Sequence, residues 1–213
     1  NSSDLPDNIG YDLDTSIVIQ SNDDKSVFYN NVDMPMNISV LKKINNFIKK
    51  EFKKKIDIFC CALGAASEYP QCFLNKDRVK ERKKIIKNSL VEIKEYLKYL
   101  KPKIYFPAGG KYAIYGKFFN LNKYIAQPSF SQIKKTTSSL STEIYNIIGG
   151  GSIIVKDSKY LINQNIDKKS KNFYKDFIDK IKLSNYYYSN INKKVNLDKL
   201  DQNFIKAKKN YFK

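Results

Sequence analysis

Three places in the sequence bring together residue types that could do chemistry. Asp33 follows the β-prone run Ser26-Val-Phe-Tyr-Asn30 by way of Asn31-Val32. It therefore falls at a strand end on a sheet edge, where a carboxylate can serve a metal or simply form a turn. The apolar run Ile56 to Leu63 empties into Gly64-Ala65-Ala66-Ser67 and then Tyr69-Pro70. Small residues let backbone N–H groups come close to an anion, or close a tight connection. Ala108-Gly109-Gly110-Lys111-Tyr112 repeats that pattern after a second short apolar run. Lys111 and Lys117 flank it as candidate partners for a phosphate or carboxylate. Neither a GxGxxG nor a GxxxxGK[ST] phosphate signature occurs.

The chain has no His. That removes the usual general base near neutral pH and the commonest transition-metal ligand. A Ser-His-Asp triad, a His-rich zinc site and a Rieske cluster are excluded within these residues. Cys60 and Cys61 are adjacent on an expected strand, so they point to opposite faces and cannot chelate one metal together. They read as small core residues, and Cys72 lies just past the loop. Three Cys without a CxxC pattern argue against a disulfide scaffold and fit a reducing cytoplasm.

The elements that would position these groups follow from hydrophobic period and turn chemistry. Thr15–Gln20 and Ser26–Asn30 flank Asn22-Asp-Asp-Lys25 and predict a β-hairpin. Asn37 is a helix cap for Ile38–Phe52, where Ile38, Leu41, Ile44 and Ile48 recur at helical spacing. A long helix is expected over Asp77–Leu100, with Val79, Arg82, Ile86, Leu90, Ile93, Leu97 and Leu100 in one stripe, stopped by Lys101-Pro102. Lys103–Pro107 is the next strand. Two strand-then-small-loop units joined by one helix make a βαβ crossover, so both loops should lie side by side at one edge of a parallel pair. Residues 115–131 read as irregular and Phe130–Ile148 as a helix with a weak Thr-Thr-Ser-Ser centre. A hairpin is expected from Ile153–Val155 and Lys159–Ile162 through Asp157-Ser158. Asn172–Leu183 reads as an amphipathic helix, and a Lys/Asn-rich tail with Tyr186-Tyr-Tyr188 follows. The organisation expected is a folded unit over 1–163 and a helical or partly disordered appendage over 164–213.

Charge is unevenly spread over the 213 residues, whose formal net charge is +18. Residues 1–37 hold seven Asp and one Lys, whereas residues 38–155 hold 23 basic and 8 acidic side chains. A basic body points toward anionic partners. The excess is nearly all Lys, with Arg only at 78 and 82, and it travels with abundant Asn, Ile and Tyr. AT-rich codons account for that mixture, which argues against a dedicated nucleic-acid role. No apolar run approaches the ~20 residues needed to cross a bilayer.

In order along the chain, four stretches resemble one known family. Asp14–Gln20 with Val27–Asp33 is similar to the hairpin of a metallo-β-lactamase-fold protein that runs to its late metal-binding Asp. Gly64–Phe73 is similar to a small-residue loop with a Tyr/Phe-Pro pair found in the CMP-N-acetylneuraminate hydroxylase-like branch of that fold. Arg82 through Lys101-Pro-Lys-Ile-Tyr-Phe-Pro-Ala-Gly-Gly110 resembles that branch's long helix and Pro-x-Ala-Gly strand end. Tyr112–Lys117 with Leu121-Asn122 is similar to bacterial members.

The resemblance spans residues 12–155 and implies an α/β fold, the second half of an αββα sandwich. The first half would carry the His-x-His-x-Asp-His metal cluster and, in the hydroxylases, follow a Rieske [2Fe–2S] domain. A chain opening on Asn1 with neither feature reads as part of a longer protein. It would bind no cofactor alone, the iron–sulfur cluster or divalent metal coming from upstream residues. The family's late His is missing, with Ala108-Gly109 about where it would stand, which puts two-metal hydrolysis in doubt.

The implied function is part of a monooxygenase-like oxidoreductase acting on an acylated sugar, such as a CMP-linked sialic acid, with a possible electron-transfer partner. Asp33 would be metal-proximal. Gly64, Ala65, Ser67, Tyr69, Pro70, Ala108, Gly109, Gly110, Lys111 and Tyr112 would line the pocket. The alternatives are a metal-dependent hydrolase of the same fold and a non-catalytic binding module. Half a sandwich would leave one sheet face uncovered and the isolated chain inactive.

Overall fold

A computed structural model describes residues 16–32, 37–64, 67–109, 112–147, 151–156, 159–164 and 170–183. Strand β1 (Ile17–Gln20) pairs antiparallel with β2 (Val27–Asn31), closing the expected hairpin. The turn between them is held by Asp24, whose carboxylate accepts from the Ser26 N–H at 3.0 Å and the Ser26 hydroxyl at 2.9 Å. Strands β3 (Ile58–Ala62), β4 (Ile104–Ala108) and β5 (Glu143–Ile144) extend the sheet in the order β1-β2-β3-β4-β5. All pairings from β2 to β5 are parallel. The protein is thus a mixed α/β structure around a mostly parallel sheet.

Helix α1 (Ile38–Phe52) joins β2 to β3, and α2 (Arg78–Leu100) joins β3 to β4. Asn37 caps α1 by accepting from the Val40 N–H, and Asp77 caps α2 by accepting from the Val79 and Lys80 N–H groups. Successive parallel crossovers that step in one direction and keep the same hand put both helices on one face of the sheet. The core agrees. Val27, Tyr29, Phe59, Cys61 and Tyr105 project from that face against Val40, Leu41 and Ile48 of α1 and Ile93, Tyr96, Leu97 and Leu100 of α2. Burying each large apolar side chain contributes about 1.5–3 kcal/mol. Val79, placed in the buried stripe from its spacing, is half exposed in the first turn of α2.

The stretch expected to be one helix over 130–148 divides in two. Helix α3 (Phe130–Thr136) starts on a capping box between Ser129 and Gln132 and stops early. The Thr137 hydroxyl donates to the Ile133 carbonyl at 2.8 Å, and the Ser138 hydroxyl donates to the Lys135 carbonyl at 3.0 Å. Hydroxyl side chains that bond the preceding turn weaken helix continuation. The chain then re-enters the sheet as β5, beside Ile104 and Tyr105. The segment read as irregular holds a 3₁₀ helix, Gly116–Tyr124. Strands β6 (Ser152–Lys156) and β7 (Lys159–Asn163) pair antiparallel as the expected second hairpin. Helix α4 (Ser170–Leu183), in the stretch read as an appendage, packs against the 3₁₀ helix. The Lys/Asn-rich tail lies outside the described residues.

The other face of the sheet differs in kind. Ile17, Ile19, Phe28, Ile58, Cys60, Ile104 and Phe106 alternate onto it, and none belongs to the core cluster. Ile17 and Ile19 are 50% and 53% exposed, whereas Ile58, Cys60 and Ile104 are buried, so it is the β1 end of this face that lies open. Across β3 the Phe28 and Phe106 rings stack nearly parallel, 4° apart in plane with centroids at 6.4 Å.

Candidate binding site at the carboxyl edge of the sheet

The parallel strands β2, β3 and β4 end together at Asn31, Ala62 and Ala108, and the two small-residue loops leave from that edge. Open α/β sheets hold ligands outside the carboxyl ends of their strands. Gly64 leaves β3 at φ 136°, a conformation closed to most side chains, and a methyl there would meet the Pro128 ring at 3.3 Å. Residues Gln127-Pro128, ahead of α3, therefore lie against the first loop. Gly109 leaves β4 at φ 84°, and a methyl there would touch Val32 at 3.6 Å. The end of β2 thus meets the second loop.

One hydrogen-bonded knot joins the two loops. The Tyr112 hydroxyl donates to the Ser67 carbonyl at 2.7 Å. Gln71 Nε2 donates to the Tyr112 hydroxyl at 2.8 Å and to the same Ser67 carbonyl. Burial pushes the Tyr112 phenol up from its ordinary range, against the opposing effect of its Gln71 and Ser67 bonds. The phenol stays protonated at neutral pH and can keep donating.

The rest of the first loop is tied to α2. The Tyr69 N–H donates to the Ser67 hydroxyl at 3.1 Å, and the Tyr69 hydroxyl donates to Glu81 at 2.7 Å, which raises the phenol's pKa. The Tyr69–Pro70 peptide bond is cis. Tyr69 and Phe73 meet edge to face at 5.2 Å, and Arg78 donates to the Phe73 carbonyl. Beyond the second loop, Asn122 of the 3₁₀ helix bonds both the N–H and the carbonyl of Ile114.

Sequence reasoning missed three buried amides at this edge. Asn31 is 2% exposed, and among the described residues neither its amide oxygen nor its nitrogen has a hydrogen-bond partner. Gln71 (1% exposed) and Gln127 (8%) each keep an amide oxygen without a partner among the described residues. An unsatisfied buried polar group costs roughly 1–3 kcal/mol, so three at one edge mark a place for ordered water or a polar ligand. The signal for Asn31 was present in the strand alternation Val27, Tyr29, Asn31, which places it on the buried face. Gln71 and Gln127 sit beside Pro70 and Pro128 in loops and carried no periodic signal.

Of the pocket residues expected from sequence, Gly64, Ser67, Tyr69, Pro70, Ala108, Gly109 and Tyr112 lie at this edge. Asp33, Ala65, Gly110 and Lys111 fall outside the described residues. Among the described residues no group of three His, Cys, Asp or Glu side chains is placed to hold a metal. Cys60 and Cys61 do not fit as ligands. They face opposite sides of β3, and burial pushes their thiols up to about 11 and about 12, far from thiolate at neutral pH.

A second polar cluster sits at the opposite, amino edge. Asp57, just before β3, accepts from the Val27 N–H at 2.9 Å, the Tyr160 hydroxyl at 2.9 Å and Lys103 Nζ at 2.8 Å. Lys103 also donates to the Tyr160 hydroxyl at 2.9 Å. Burial alone would raise the Asp57 pKa, but the Lys103, Val27 and Tyr160 bonds outweigh it and hold the carboxyl below its usual range. Tyr160 ties the β6–β7 hairpin to the sheet. A lone charge inside the apolar run Ile56-Asp57-Ile58 was the available signal.

Comparison with protein-family models, curated proteins and solved structures finds no match. No helix among the described residues is long and apolar enough to cross a membrane.

Proposed function

We propose that the carboxyl edge binds an acylated sugar, such as a CMP-linked sialic acid, and that the chain is part of a monooxygenase-like oxidoreductase of the metallo-β-lactamase-like branch its sequence resembles. The observation that carries the binding reading is the knot of Ser67, Gln71 and Tyr112 beside the unpartnered amide atoms of Asn31, Gln71 and Gln127. Neutral amides suit a ligand rich in hydroxyl and amide groups. Their oxygens accept sugar hydroxyls and acylamino N–H groups, and the Asn31 nitrogen donates to an acyl oxygen. Ile17 and Ile19, half exposed at the β1 end of the second sheet face, leave room there for a further layer as a sandwich needs, although Ile58, Cys60 and Ile104 at the centre of that face are already buried.

In this reading the iron–sulfur or metal centre supplies redox chemistry from residues outside this chain, and the residues here bind and orient. Tyr112 and Gln71 fix the spacing of the two loops, and Gly64 and Gly109 let Pro128 and Val32 pack close against them. Calorimetric titration with CMP-N-acetylneuraminate tests it. Saturable binding weakened at least ten-fold by Gln71→Leu is expected. Absence of binding at millimolar ligand, or binding indifferent to Gln71, contradicts it.

A further inference from the structure

We propose that the lysine-walled cavity at the amino edge of the sheet is a second binding site, for a compact anion carrying two or more phosphate groups. The cavity measures about 460 Å³ and is lined by Lys49, Lys53, Lys54, Lys55, Asp57 and Lys103. Its size falls in the range of small-molecule pockets, roughly 300–1,000 Å³. Five cations face a single carboxylate, and that carboxylate is already engaged by Lys103, Tyr160 and Val27. Lys49, Lys53, Lys54 and Lys55 are exposed and have no acidic partner among the described residues.

Local structure explains the gathering. Lys49 lies in the last turn of α1, and Lys53 leaves that helix in the left-handed conformation at φ 51°. The turn brings Lys53, Lys54 and Lys55 to the same wall as Lys49. A helix C-terminus carries about half a negative charge, which one lysine answers. Four exceed that need and leave a net positive wall for an anion to neutralise.

The lining lysines are confined to the end of α1, the turn after it and Lys103, a compact patch that favours a compact polyanion over a nucleic acid, which is held along an extended basic strip. The site lies about one strand length from the carboxyl edge, roughly 16 Å for five residues. It is independent of the sugar-binding reading and fits an effector or a second substrate.

Inorganic tripolyphosphate, titrated into the protein by calorimetry at low ionic strength, is the test. One saturable site is expected, weakened at least ten-fold in Lys54→Ala/Lys55→Ala. The control pair Lys84→Ala/Lys87→Ala removes equal charge from the exposed face of α2 and should change affinity less than two-fold. Lys49→Ala gives an independent second reading from the helix side of the cavity. Equal weakening by both pairs, a stoichiometry well above one, or tighter, length-dependent binding of single-stranded RNA through the same lysines would overturn the proposal.

Discussion

The Tyr112 hydroxyl donates to the Ser67 carbonyl at 2.7 Å, across 45 residues of sequence, and ties the loop after β4 to the loop after β3. Removing it should loosen both. Tyr112→Phe is expected to cost about 1 kcal/mol, the net worth of an ordinary hydrogen bond. Native-state hydrogen exchange should show faster exchange at 67–73 and 112–115, with α2 unchanged. Uniform acceleration across the sheet would mean that Tyr112 supports the whole fold rather than the loops.

Asn31→Leu separates a binding role from a packing role. Replacing an unpartnered buried amide with an apolar group of similar size should stabilise the protein by about 1 kcal/mol, or raise Tm by roughly 2–4 °C. Affinity for CMP-N-acetylneuraminate should fall at least ten-fold in the same variant. A stability loss on Asn31→Leu would show that the amide is satisfied in solution and has no ligand to read.

Asp57 should make stability depend on acid. Its folded pKa lies below the ordinary 3.8, so its contribution is present above that value and is lost as pH falls through the lower folded pKa. Denaturant midpoints should therefore drop steeply below about pH 4. Asp57→Asn should flatten that slope and cost about 2 kcal/mol near neutrality, Lys103 being half exposed and only partly desolvated. An unchanged slope in the variant would assign the acid sensitivity to other carboxylates.

Thiol reactivity should divide the cysteines. Cys60 and Cys61 are buried and Cys72 is exposed. A thiol reagent at pH 7.5 should modify one cysteine rapidly in the native protein and three in denaturant. Fast native modification of Cys60 or Cys61 would contradict the packing of β3.

How far the sequence foretold this structure can be read at particular residues. Ile38, Leu41, Ile44 and Ile48 recur at helical spacing, and α1 occupies the span they mark. Gly64 and Gly109 mark the ends of β3 and β4 because only residues without a side chain sit easily at those positive φ values. Strand β5 was hidden. Two residues long, it depends on parallel partners 39 positions earlier, and no local pattern encodes that. The Ser67–Gln71–Tyr112 knot was half legible. Topology put its two loops side by side, but side-chain bonding between them leaves no period in the sequence. Asn31 was readable only once β2 was extended by one residue beyond Asn30.

Hydrogen-exchange mapping of the protein with and without CMP-N-acetylneuraminate tests the central claim most directly. Ligand should slow exchange at 64–73 and 108–115 and at the end of β2, while the lysine cavity at the amino edge remains unchanged. Protection confined to 49–57 and 103, or none at all, would contradict a sugar-binding carboxyl edge.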